Sequence, residues 1–131
     1  MIKAISTYRI FPHTTNLLIS SKKYVQYYPD GKIKEEVTYK DGKPNGLWTM
    51  YYKNGQKKEE VTYKYGVPNG LWTIYYKNGQ KKDESTYKDG KEYGLWTDWW
   101  SDGVKRTEKT YKNGKVIFEK EWIKVDRGTV K

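Results

Sequence analysis

The chain has 131 residues and no cysteine, the length of one domain, which excludes disulfide frameworks and cysteine-ligated metal sites. Mean hydropathy is −1.08, close to that of disordered chains, yet 17% of residues are aromatic (14 Tyr, 6 Trp and 2 Phe), and disordered chains are poor in such residues. With 26 Lys+Arg against 16 Asp+Glu the net charge is +10, which favours acidic surfaces, phosphates or anionic lipids as partners and excludes mimicry of nucleic acid.

In residues 1–22 the apolar pattern is interrupted by Tyr8, Arg9 and the segment from Pro12 to Asn16, so no signal-peptide core is present. No stretch approaches the roughly 20 apolar residues of a membrane span. A cytoplasmic protein is the expectation, and the lack of cysteine fits a reducing compartment. Residues 2–11 and Leu17–Ser20 predict one or two N-terminal capping strands. His13, the sole histidine, sits in a Pro-His-Thr-Thr-Asn loop with no second His or Cys to complete a metal site or a nucleophile pair. Neither a metal nor a cofactor is expected.

From residue 23 the punctuation recurs every 24 residues. Gly31, Gly55, Gly79 and Gly103 keep this step, as do Gly42, Gly66, Gly90 and Gly114, and also Gly46, Gly70 and Gly94. Trp48, Trp72 and Trp96 follow it, with aromatic pairs at Tyr27-Tyr28, Tyr51-Tyr52, Tyr75-Tyr76 and Trp99-Trp100. Such a fixed period means stacked units that bury their surfaces on neighbours. Each period holds two turn signals. Asp30-Gly31, Asn54-Gly55, Asn78-Gly79 and Asp102-Gly103 form one set; Asp41-Gly42, Tyr65-Gly66, Asp89-Gly90 and Asn113-Gly114 form the other. Asp-Gly and Asn-Gly suit a type I′ turn, which needs positive φ at both central residues. The predicted architecture is all-β: an elongated single-layer antiparallel meander of 24-residue β-hairpin repeats over residues 23–125, since two-residue links cannot make parallel crossovers. Residues 115–125 read as the closing strand and 126–131 as a fraying tail.

A two-residue turn at Asp41-Gly42 puts Ile33 opposite Met50; the same rule puts Lys57 opposite Ile74 and Lys81 opposite Asp98. Alternation then sorts the side chains. One face is aromatic, with Trp48, Met50, Tyr52, Val61, Tyr63, Trp72, Ile74, Tyr76, Tyr87, Trp96, Trp100, Tyr111, Val116, Phe118 and Trp122. The other is mixed, with Leu47, Thr49, Tyr51, Lys58, Glu60, Thr62 and their equivalents. Neighbouring carboxylates such as Glu59-Glu60 point to opposite faces and make no acid–base dyad. Glu59 and Asp83 share a face at roughly 9.6 Å, two strand spacings, with no cleft around them, so no enzyme is expected. The Trp48, Trp72 and Trp96 ladder is either the packing of the sheet or, left uncovered, a binding platform.

The run Tyr39-Lys-Asp-Gly-Lys-Pro-Asn-Gly46-Leu-Trp48-Thr-Met-Tyr51-Tyr52-Lys-Asn-Gly55 resembles the MORN-repeat variant found in bacterial antitoxin-like proteins, a likeness that spans roughly residues 24–122. The resemblance implies an elongated β-hairpin array that acts through contacts, with no catalytic residues to carry over. The leading expectation is a non-catalytic module that neutralises or scaffolds a partner protein in the manner of an antitoxin or immunity protein. Candidate contacts are Trp48, Trp72 and Trp96, the rings Tyr51, Tyr75 and Trp99, and the cations Lys34, Lys58, Lys82 and Arg106 at one repeating position. These residue types favour interface hot spots, and the cations call for an acidic patch on the partner, unless they are a solvated row that protects the sheet. The alternatives are nucleic-acid binding, with stacked bases and phosphate-bound lysines, and peripheral attachment to anionic lipid. A face-to-face homodimer is the self-association an open sheet allows.

Overall fold

Residues 21–124 are described by the computed structural model, and ten strands form its single antiparallel sheet. They are β1 (Ser21–Tyr27), β2 (Ile33–Lys40), β3 (Lys43–Tyr51), β4 (Lys57–Lys64), β5 (Val67–Tyr75), β6 (Lys81–Lys88), β7 (Lys91–Glu92), β8 (Gly94–Trp99), β9 (Lys105–Lys112) and β10 (Lys115–Glu121). Their spatial order follows the chain from β1 to β10, with the short β7 pairing β6 beside β8. This is the meander the repeat predicts. The expected N-terminal capping strands up to residue 20, His13, and the tail 126–131 lie outside the described residues.

Of the two turn sets, the second has the expected form. Asp41, Tyr65, Asp89 and Asn113 have φ between 46° and 52°, each followed by a glycine with φ between 77° and 86°, the type I′ signature. The first set differs. Gly55 donates to the carbonyl of Tyr52 at 3.0 Å and the Tyr52 amide bonds the Gln56 carbonyl at 2.8 Å, while Gly55 has φ +89° and Asn54 is not among the positive-φ residues. Lys53-Asn54-Gly55 is therefore a three-residue loop, a type I turn closed by a left-handed glycine. Asn54 is there for its side chain: its Oδ1 accepts the Gln56 amide at 2.8 Å, as Asn78 does for Gln80 at 2.9 Å.

The register also departs from the two-residue-turn rule. Met50 faces Glu35, Ile74 faces Glu59 and Asp98 faces Asp83, in place of Ile33, Lys57 and Lys81. In β3 the segment Asn45-Gly46-Leu47 stands across from Thr38 alone, and β5 repeats the irregularity, so two extra residues slide the pairing. Gly46 and Gly70 take φ +107° and +121° at this point, a conformation that favours glycine. A slip of two preserves the alternation, so most of the predicted faces stand.

The sheet is one layer thick, and its best-buried side chains lie mid-strand. Val61, 2% exposed, lies between Trp48 and Trp72 on the adjacent strands; burying such a valine contributes about 2 kcal/mol. Val37 is its counterpart beside Trp48. On the opposite face Thr49, Thr73 and Thr97 are buried.

Candidate interaction surface

On the aromatic face each indole packs on a tyrosine of the next strand: Trp48 on Tyr63 with centroids 5.6 Å apart, Trp72 on Tyr87 at 5.5 Å, and Trp96 on Tyr111 at 4.5 Å. Tyr87 also meets Trp96 at 5.5 Å, so Trp72, Tyr87, Trp96 and Tyr111 form one continuous ribbon of rings. Trp72 Nε1 donates to Glu59 Oε1 at 2.6 Å and Trp96 Nε1 to the Thr86 carbonyl at 3.2 Å. The Trp48 indole N–H is buried without an acceptor. Beside the ribbon runs a carboxylate row, Glu35, Glu59, Asp83 and Asp98, broken by Met50 and Ile74. Burial, then the charge of Asp98, pushes the Asp83 carboxyl up. Asp98 is instead answered by Arg106, 2.7 Å away, and by the Thr107 hydroxyl. The cation that serves Asp98 thus comes from β9, where the sequence had offered Lys81.

Lys34, Lys58, Lys82 and Arg106 do not stand in the mixed face as predicted. Between Met50 and Tyr51 the register slips by one, because Met50 pairs Glu59 and Tyr51 pairs Lys57. Lys58 is the extra residue of a bulge, which re-aims its side chain. It reaches the Tyr52 ring at 6.0 Å; Lys34 reaches Tyr28 at 5.9 Å, Lys82 reaches Tyr76 at 5.8 Å, and Arg106 reaches Trp100 at 5.1 Å. These rings are fixed in turn. Tyr28, Tyr52 and Tyr76 donate their hydroxyls to the carbonyls of Tyr51, Tyr75 and Trp99, at 2.6 to 2.8 Å, stitching each repeat to the next.

The mixed face holds the other candidate rings. Tyr51 donates to Glu36 at 2.9 Å and Tyr75 to Glu60 at 3.1 Å; burial first and these carboxylates second push both phenols up to about 12. Each glutamate has its own lysine: Lys23 with Glu36, Lys57 with Glu60, Lys81 with Glu84 and Lys105 with Glu108, at 2.6 to 2.9 Å. The Lys23 contact holds the Glu36 carboxyl below its usual range. Trp99 takes the Tyr51 position without a hydroxyl, and Lys81 lies over its ring at 5.8 Å. Phe118 and Trp122 belong to this face, contrary to the sequence reading. A bulge between Val116 and Phe118 turns β10 over, setting Phe118 opposite Thr110, and Trp122 lies under Lys105 and Lys120 at 5.4 and 4.6 Å.

Neither the exposed leucines of this face nor the lysines at the type I′ turns are among the contacts predicted from the sequence. Leu47, Leu71 and Leu95 are 51%, 51% and 52% exposed, side by side with Thr62, Thr86 and Thr110. Their common step of 24 was the signal available.

The family model for the MORN repeat variant matches residues 22–41, 44–65, 68–89 and 92–113. The chain therefore belongs to the MORN repeat variant family, whose repeats serve as modules that bind proteins or membranes. No curated protein and no solved structure matches it. Among the described residues no helix is long and apolar enough to cross a membrane, and no group of three or more His, Cys, Asp or Glu is placed to hold a metal ion.

Proposed function

We propose that the chain is a non-catalytic protein-binding module that holds, and in antitoxin or immunity fashion neutralises, a partner protein through the surface of its repeat sheet. The observation that carries this reading is the regular presentation of side chains on a single-layer sheet tied at both long edges. At one edge are the tyrosine hydroxyl bonds; at the other, the amides of Gly66 and Gly90 bond the carbonyls of Pro44 and Pro68 at 2.8 Å. A surface held this way loses little conformational freedom on association. The ring-supported cations Lys34, Lys58 and Lys82 suit an acidic partner surface, while Arg106, at the same repeating position, is engaged by Asp98. The ribbon of Trp72, Tyr87, Trp96 and Tyr111 offers the large rings on which interface energy concentrates.

The test is affinity purification of the tagged full chain from its native host, followed by mass spectrometry and co-expression of the recovered partner. One stoichiometric protein whose toxicity or activity is suppressed by the chain is the expected result. Absence of such a protein, together with tight, steeply salt-dependent binding of single-stranded oligonucleotides, overturns the reading in favour of nucleic-acid binding.

A further inference from the structure

We infer that the face carrying Leu47, Leu71 and Leu95 receives an amphipathic α-helix of a partner protein, apolar on one stripe and acidic along one flank, laid across the strands. This rests on the protein-binding reading above and adds a contact on the face opposite the ring ribbon, with the chemistry it takes.

Two adjacent rows carry the argument. The first is apolar: Leu47, Leu71 and Leu95 are half exposed, and the β10 bulge extends the row to Phe118, 57% exposed. The second row lies at the type I′ turns on the same face. There Lys40 pairs Lys43, Lys88 pairs Lys91 and Lys112 pairs Lys115 directly across the strands. Like charges directly opposite destabilise a sheet. Among the described residues none of these six lysines makes an ion pair, although Asp41 and Asp89 sit in the intervening turns; Lys40 and Lys88 rest only on the rings of Tyr65 and Tyr93, at 5.9 and 5.2 Å. The contrast with the neighbouring Glu–Lys row, where each glutamate has its lysine within 2.9 Å, marks the turn lysines as charges left to be met from outside.

The spacing selects the occupant. Successive leucines are two strands apart, about 9.6 Å, and one heptad of an α-helix advances about 10.5 Å. A helix across the strands thus brings one apolar residue per heptad to each leucine, with a drift of about 1 Å per repeat. The row from Leu47 to Phe118 covers six strand spacings, about 29 Å, or on the order of 20 helical residues. From Thr62 to Lys64 is two residues along the strand, about 7 Å, so a helix seated on the leucines sets its flank over the lysines. The strands beneath the leucines have a neighbour on each side, so this face offers no open strand edge to an extended peptide; a helix brings its own bonds satisfied.

The probe is a fluorescein-labelled 21-residue peptide with leucine at heptad spacing and glutamate along one flank, titrated into the full chain by anisotropy. Saturable one-to-one binding is expected, weakened at least tenfold when Leu47→Ser, Leu71→Ser and Leu95→Ser are combined. A like loss is expected when Lys43→Glu, Lys88→Glu and Lys115→Glu are combined. Lys77→Ala, in the turn at the other end of β5 from the type I′ lysines, is expected to leave it unchanged. Far-ultraviolet circular dichroism and tryptophan fluorescence confirm that each variant folds. No binding, equal binding of the peptide with lysine in place of glutamate, or binding untouched by either triple variant overturns the inference. So does preference for an acidic polyproline peptide, for phosphatidylcholine–phosphatidylglycerol vesicles or for a second copy of the chain. A co-purified partner that stays bound to both triple variants overturns this surface while leaving the protein-binding function standing.

Discussion

At the residue scale, the tyrosine, glutamate and lysine row of the mixed face is a layer of polar groups whose partners are supplied from within the sheet. The Tyr75 hydroxyl to Glu60 is a charge-assisted bond, and Tyr75→Phe is expected to cost about 1 kcal/mol in urea unfolding. Because the folded-state pKa of this phenol, about 12, lies above its unfolded value near 10, its contribution is complete below pH 10 and disappears as the pH rises towards 12. The variant is expected to lose that part of the alkaline destabilisation, read from melting temperature against pH. Asp83 has a raised folded-state pKa as well, but for a carboxyl this direction disfavours the charged form, so burial beside Asp98 costs stability above the unfolded value. Asp83→Asn is expected to raise the melting temperature at pH 7 by about 2 °C. The gain should vanish once the pH falls below roughly 4, where the carboxyl is protonated in both states; a scanning calorimetry series over pH checks it. Glu36 has the opposite sign. Its lowered pKa stabilises the fold above the unfolded value and stops doing so as acid protonates it.

At the scale of the element, the repeated hairpin uses two different turns and two different bulges, each selecting its residues. Tyr65 occupies the first position of a type I′ turn at φ +46°, where the other repeats have Asp41, Asp89 and Asn113. A bulky side chain in this region is strained. Tyr65→Asn is expected to stabilise by about 0.5–1 kcal/mol, seen as a higher urea midpoint. Gly70 is the converse: at φ +121° a Cβ there stands 3.2 Å from Thr62 Cβ, and Gly70→Ala is expected to cost about 1–3 kcal/mol by the same measurement. The alternation of each strand was legible in the sequence, because a period of two is written directly into Val61-Thr62-Tyr63 and its equivalents. The bulges were not. Nothing in Gly46 distinguishes an ordinary strand glycine from one that admits two extra residues, and nothing in Lys57-Lys58 tells which lysine is the extra one.

At the scale of the whole molecule, the strands pair in chain order apart from the short β7, so stability passes along the array from one repeat to the next. The central strands have two partners and the best-buried side chain, Val61; β10 has one partner and is exposed at every position. Hydrogen–deuterium exchange is expected to be slowest in β4 to β6 and fastest in β10 among residues 21–124, and equal protection across the array would contradict the stepwise account. The sequence by itself determined the all-β meander, the 24-residue unit and the ladder of Trp48, Trp72 and Trp96 on the aromatic face, because glycine punctuation and side-chain alternation are local properties. Only the tertiary structure decided the register, the face on which Lys58, Arg106, Phe118 and Trp122 lie, and which lysines have carboxylate partners. A register slip is set by hydrogen bonding between strands up to a full repeat apart, and a bulge that adds one residue reverses every side chain beyond it.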